Sequence, residues 1–177
     1  MPTSTVYERG PIGAFTEEKL IEYTSEWEGE RFPDGRPRVA DDIVERMRKV
    51  TLTQAWGSCR GGGYEHQFEG GFICTHPGQV LCGRALTATF MPRRPDVRGA
   101  MDRQGESGGH EGDHIHWPIN ALVTGDVYVA DMFEKIECGA IIGDNLAASV
   151  LAKSGNGVVH NSSVRDIEGI RELPGFA

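Results

Sequence analysis

A chain of 177 residues, 38% of them hydrophobic, is long enough for one domain with a real core and short for two. A formal net charge of −8 argues against direct nucleic-acid binding, because phosphate neutralisation needs clustered Lys and Arg. No apolar run follows Met1 and none approaches the ~20 residues of a membrane span, so a soluble, cytoplasmic protein with no membrane contact is expected.

Cys59, Cys74, Cys82 and Cys138 lack C-x-x-C spacing and read as free or buried thiols of a reducing compartment. The 24 glycines point to many turns rather than long helices. Residues 1–38 read as an N-terminal arm and residues 39–177 as one α/β domain.

In chain order, residues 15–27 carry a short helical pattern, and residues 31–37 are a Pro/Gly/charge segment that predicts a turn-rich stretch. Residues 39–50 predict a helix. Asp41 or Asp42 can cap it, and Ile43, Val44, Met47 and Val50 recur at three- and four-residue spacing. Residues 57–71 contain six glycines and predict a loop. Residues 80–82 and 85–91 predict short strands, and residues 99–112 a long polar connection.

Gly125-Asp126 is a turn feeding the buried-strand pattern Val127-Tyr128-Val129-Ala130. Residues 140–142 predict another strand. Gly143-Asp144-Asn145 then opens a helix with Leu146, Val150 and Leu151 on its apolar face, and Lys153 and Gly155 close it. Gly157-Val158-Val159-His160 is the next strand, so residues 140–160 predict a parallel βαβ unit and an α/β fold class.

His110-Glu111-Gly112-Asp113-His114 matches the H-E-x-x-H pattern of zinc peptidases, which works only on a helix that sets both imidazoles on one face. Gly108, Gly109 and Gly112 each cost about 1 kcal/mol in a helix, so none is expected here. The stretch also fits the opening of a cupin pattern, but Asn120 and Ala121 stand where its glutamate should be. A solvated His-rich loop is the expected structure, with a metal on His110, His114 and His116 as the alternative.

A second constellation has a mechanism. Gly143-Asp144-Asn145-Leu146 places backbone N–H groups at a helix start, where the positive end of the dipole receives carboxylates or phosphates. One strand later comes Val164-Arg165-Asp166. Both loops lie at the carboxyl ends of parallel strands, where α/β ligands bind. Arg165 offers a planar fork for a carboxylate or keto oxygen, and Asp166 a hard oxygen for Mg²⁺ or Mn²⁺. Spacing alone leaves open that Arg165 and Asp166 are surface charges and Asp144 a helix cap.

Four segments in order, Gly83-Arg84-Ala85-Leu86-Thr87-Ala88, Gly125-Asp126-Val127-Tyr128-Val129-Ala130-Asp131, Gly143-Asp144-Asn145-Leu146-Ala147 and Val164-Arg165-Asp166, resemble the regulator of ribonuclease activity A family. The resemblance runs from about residue 43 to the end. It implies a swivelling β/β/α domain assembling as a homotrimer, or as a hexamer made of two trimers, with sites between subunits. It also implies two activities. Some relatives are divalent-metal-dependent aldolases that cleave 4-hydroxy-2-oxo acids to pyruvate and decarboxylate oxaloacetate. The namesake instead inhibits a ribonuclease by contact.

Carried over by position, the resemblance makes Asp166 the metal ligand and Arg165 the residue that holds the keto oxygen and stabilises the enolate. Gly143 and the amides of Asn145 and Leu146 receive the substrate's carboxylate, and Asp144 orients a water that shuttles the proton. The cofactor implied is Mg²⁺ or Mn²⁺, and the partner a small oxo acid. Three departures stand out. The family's Asp-Gly before the site is Asn161-Ser162, followed by Ser163, which puts a Cβ where φ > 0 is expected. Gly169 occupies a usual acidic position, with Glu168 one residue early. The family also continues beyond the equivalent of Ala177 with a segment that lends a carboxylate to the neighbouring subunit, so weak or absent activity is expected unless something replaces it.

Overall fold

Val127-Tyr128-Val129-Ala130 has no polar interruption, the pattern of a strand covered on both faces. In the computed structural model, which describes residues 16–132, 137 and 140–177, it forms the middle of a three-stranded parallel sheet. The elements in chain order are α1 (Glu17–Tyr23), α2 (Asp41–Met47), α3 (Leu52–Gly61), β1 (Arg84–Thr89), α4 (Pro95–Ser107) and α5 (His116–Asn120), then β2 (Asp126–Asp131), α6 (Asp144–Ser154), β3 (Val158–Asn161) and α7 (Ile167–Arg171). β2 pairs with β1 from Arg84↔Asp126 to Thr89↔Asp131, and with β3 from Tyr128↔Val158 to Asp131↔Asn161.

The alternation of the strands assigns the faces. Leu86, Tyr128 and Ala130 pack under Ile119 of α5, under Leu146, Ala147 and Val150 of α6, and against Ile142, Ile170 and Phe176. Each Leu, Ile, Val or Phe among them contributes roughly 1.5–3 kcal/mol by leaving water. On the opposite face Ala85, Thr87 and Thr89 are exposed. The architecture is therefore α/β; among the described residues it holds one β layer and no second one. α6 ends where expected, with Gly155 in the left-handed region at φ 67.

At the amino ends of the strands, Arg84 and Asp126 form a buried pair, Nε to Oδ1 at 3.3 Å, with side chains 8% and 0% exposed. Arg84 Nη1 also reaches Asp41 Oδ1 at 2.6 Å, and its Nη2 donates to the carbonyl of Thr124. Arg36 adds a 3.4 Å bond to Asp126 and a 2.7 Å bond to Asp34. The Phe32 ring lies under the guanidinium groups of Arg36 and Arg84, at 4.9 and 5.6 Å. Residues 31–37 thus fold back on the sheet as a charge-locked turn. Of the arm expected over residues 1–38, the first fifteen, including the Phe15 that opens the first helical pattern, lie outside the described residues.

Several local expectations differ from the structure. Asp41 and Asp42 sit in the first turn of α2, Ala40 being its N-cap, and Asp41 serves Arg84 instead. The glycine-rich stretch from residue 57 is helical as far as Gly61, because Thr51 and Gln54 form a capping box that starts α3. Residues 80–82 are not a strand: the Val80 carbonyl accepts from Arg48 and the Cys82 carbonyl from Asn156, at 3.3 and 2.8 Å. Side chains thus satisfy backbone groups that a ladder would otherwise need.

The expected connection over residues 99–112 is helical to Ser107. Pro95 opens α4, an Arg98–Asp102 pair spans one turn, and Gly105 is buried where a Cβ would strike the Trp117 ring. Residues 140–142 make a single parallel bridge, Ile142↔Val164, rather than a strand. The observed βαβ unit is β2–α6–β3. Cys59, Cys74 and Cys82 are free thiols, and Cys138 lies outside the described residues.

Candidate functional site

The Ile142↔Val164 bridge builds this site. Ile142 is fully buried, and its carbonyl accepts from the Arg165 N–H at 3.0 Å. That bond fixes the loop after β3 beside the start of α6. Gly143 is the N-cap of α6 at φ −130, and Ala147 N–H closes the first intrahelical bond onto its carbonyl at 2.9 Å. The amides of residues 144–146 therefore have no backbone acceptor within the helix.

Arg165 and Asp166 lie over Gly143. A Cβ on Gly143 would stand 2.6 Å from Asp166 Oδ2 and 3.0 Å from Arg165 Nε. The two side chains form a loose pair at 3.5 Å and remain 62% and 51% exposed, open to a ligand. Asp166 sits in the left-handed region at φ 56 and N-caps α7, and Ile170 N–H bonds its carbonyl at 3.0 Å. A non-glycine residue held there stores backbone strain, a recurrent feature of functional sites.

Asp144 lies at the first helical position rather than at the cap. Its Oδ1 accepts from the Asn145 N–H at 2.6 Å. Its carboxylate rests on α7: a Cβ on Gly169 would come within 2.9 Å of Asp144 Cβ and 3.0 Å of its Oδ2. Gly169 is thus the floor on which Asp144 lies, a role invisible in the sequence, where it registers only as a missing acid. Ser162 and Ser163 have negative φ, since His66 and Asp166 are the only described non-glycine residues with positive φ. A Cβ is therefore accommodated at both serines.

His160, at the end of β3, was not anticipated. It is 9% exposed, and burial pushes its imidazole below the usual range, against a partly opposing contact with the Ser163 backbone. It shares the core-facing side of the sheet with Tyr128, whose hydroxyl burial pushes well above the ordinary tyrosine value. A period-two reading of β3 would have placed His160 inward, but not at the root of the 161–166 loop.

Among the described residues, no three His, Cys, Asp or Glu side chains gather as a metal cage. The Asp166 carboxylate is half-exposed over Gly143, and a hydrated hard cation needs only one or two carboxylates, keeping its remaining positions for water and substrate. The His110–His116 loop does not build such a site. The rings of His110 and His114 pack on Trp117 at 5.3 and 4.4 Å, and His114 Nε2 bonds Asp102 at 2.9 Å. The H-E-x-x-H match carries no helix through His114.

A family model described as RraA-like, Aldolase/RraA, matches residues 41–176. Among solved structures, the chain is similar to Streptomyces coelicolor RraAS2, described as an unusual member of the RNase ES inhibitor RraA protein family. Identity is 25% and the TM-score 0.57, over 77% of this chain and 61% of that one. The chain thus spans under two thirds of that neighbour's length. No curated protein matches. No helix among the described residues is long and apolar enough to cross a membrane.

Proposed function

The chain belongs to the RraA-like, Aldolase/RraA, family, and from that premise we propose that it is a divalent-metal-dependent lyase. The reaction is retro-aldol cleavage of small 4-hydroxy-2-oxo acids to pyruvate and a second carbonyl compound, or decarboxylation of oxaloacetate. The observation that carries this reading is the stacking of Arg165 and Asp166 over Gly143 at the start of α6. It gathers a cation, a carboxylate and helix amides at one point.

In this reading the substrate carboxylate binds at the α6 amino end, to the Leu146 amide and to the Asn145 amide, which exchanges Asp144 for the substrate. Arg165 donates to the C2 keto oxygen. Asp166 would hold Mg²⁺ or Mn²⁺, and the ion would supply Lewis acidity to the bound oxo acid. Asp144, released from Asn145, accepts the 4-hydroxyl proton through a water as the C3–C4 bond breaks. The electron pair moves into the C2–C3 bond and onto the C2 oxygen, where Arg165 meets the developing charge. The same water returns a proton to C3, giving pyruvate. In oxaloacetate the departing group is carbon dioxide and no hydroxyl proton is taken. A homotrimer or hexamer is the assembly we attach to this reading.

The test is pyruvate release from 4-hydroxy-4-methyl-2-oxoglutarate and from oxaloacetate, with Mg²⁺ or Mn²⁺, with EDTA, and with Arg165→Ala. Loss of the Arg165 donor should lower kcat roughly 10²–10³-fold. Absence of turnover above the metal-only background would overturn the lyase, and turnover that survives both EDTA and Arg165→Ala would overturn its dependence on the metal and on Arg165. The second reading is a non-catalytic regulator that binds a ribonuclease. It is favoured by the likeness to RraAS2, whose description names it within a ribonuclease-inhibitor family. An absence of turnover together with direct inhibition of a ribonuclease would select it.

A further inference from the structure

The apolar residues divide along the chain. Among the described residues, every large exposed hydrophobic lies between Ile21 and Met91, and every buried one from Leu86 onward. α1, α2 and α3 contain no buried residue and are 7, 7 and 10 residues long. Isolated helices shorter than about 12–15 residues are marginal in water, and most helical stability comes from packing an apolar face. These three leave that face open.

On and just after α2, Ile43, Met47 and Val50 line a shallow concavity whose rim is Arg46 and Lys49. Neither side-chain cation makes an ion pair or hydrogen bond among the described residues. Of the acids on α2, Asp41 is engaged by Arg84 at 2.6 Å and Glu45 by Arg48 at 3.3 Å, Asp42 remains at the first turn, and the groove itself is lined by Arg46 and Lys49 with no carboxylate. Residues 17–30 have the opposite character, with six glutamates against the single Lys19. On α1 the exposed Ile21 has Glu17 and Glu18 one turn behind it, on the same face. The chain thus carries an acidic ridge with an apolar centre and a basic groove with an apolar floor.

We propose that a second copy of this chain covers the α2 groove with its own α1 segment. Ile21 enters between Ile43, Met47 and Val50, and the acidic ridge faces Arg46 and Lys49. The two surfaces differ, and a contact passed head to tail from copy to copy closes into a ring where its rotation allows, the form that the trimer of the proposed reading takes. This inference rests on the homo-oligomer of the proposed reading and is independent of the lyase chemistry.

The test is the mass of the full-length chain in solution by sedimentation, with circular dichroism to confirm folding. Wild type should assemble as a ring. Arg46→Glu with Lys49→Glu, Glu18→Lys with Glu26→Lys, and Met47→Glu alone should each weaken association at least tenfold. Combining the four charge reversals in one chain should restore it. A ring unaffected by any reversal would overturn this surface while leaving the oligomer. A monomeric wild type would overturn both, and pyruvate release would still decide the lyase separately.

Discussion

Gly143 lies directly beneath Asp166, so close that a methyl group on Gly143 would stand 2.6 Å from Asp166 Oδ2. The backbone there is ordinary for any residue, at φ −130, so the glycine is required by the approach of its neighbours and not by conformation.

Gly143→Ala should therefore move Arg165 and Asp166 without unfolding the chain. Displacing a reacting group by about 1 Å costs on the order of 10²-fold in rate. Pyruvate release should fall by that order, with the thermal midpoint nearly unchanged. Wild-type turnover in this variant would remove the site from the start of α6.

Gly169 makes a sharper case. The family pattern would place an acid there, yet Asp144 occupies the space, its Cβ 2.9 Å from where a new Cβ would lie. Gly169→Asp, which puts an acid at that position, should lower activity at least tenfold by driving Asp144 off its seat and adding a like charge. A gain in turnover would show that Asp144 is not the proton-handling group.

The Arg84–Asp126 pair should dominate stability at the opposite pole. Breaking a buried pair by removing one partner costs about 3–5 kcal/mol, because the remaining charge stays buried. Arg84→Met should show this loss in urea denaturation, moderated by the 3.4 Å contact from Arg36. It should also loosen residues 31–37, whose Phe32 ring rests against the Arg84 guanidinium.

His160 predicts an acid limb. Burial holds its folded-state pKa below the ordinary 6.5, so the unfolded chain takes up the proton first. Stability is then full above pH 6.5 and is lost as pH falls below it, toward and through the folded value. The midpoint measured from pH 7.5 to pH 5 should show this decline, and His160→Gln should flatten it. An identical slope in the variant would assign the acid limb to other groups.

The sequence by itself determined the elements whose signals are local. β2 follows from the unbroken run Val127-Tyr128-Val129-Ala130, and α6 from a glycine at each end with Leu146 and Val150 one turn apart. β3 and the α/β class follow from the alternation around them, and the pairing of the Asp144 loop with Arg165-Asp166 from the rule that such loops share one end of a parallel sheet. What only the tertiary structure decided depends on groups far apart in the chain. Residues 80–82 fail as a strand because Arg48 and Asn156 satisfy their carbonyls. Gly105 sits inside α4 because the Trp117 ring, twelve residues on, occupies the space a Cβ would need. Gly143 and Gly169 are fixed by the side chains of Asp166 and Asp144. Local propensity is written residue by residue, whereas excluded volume and the pairing of buried polar groups exist only once distant segments meet.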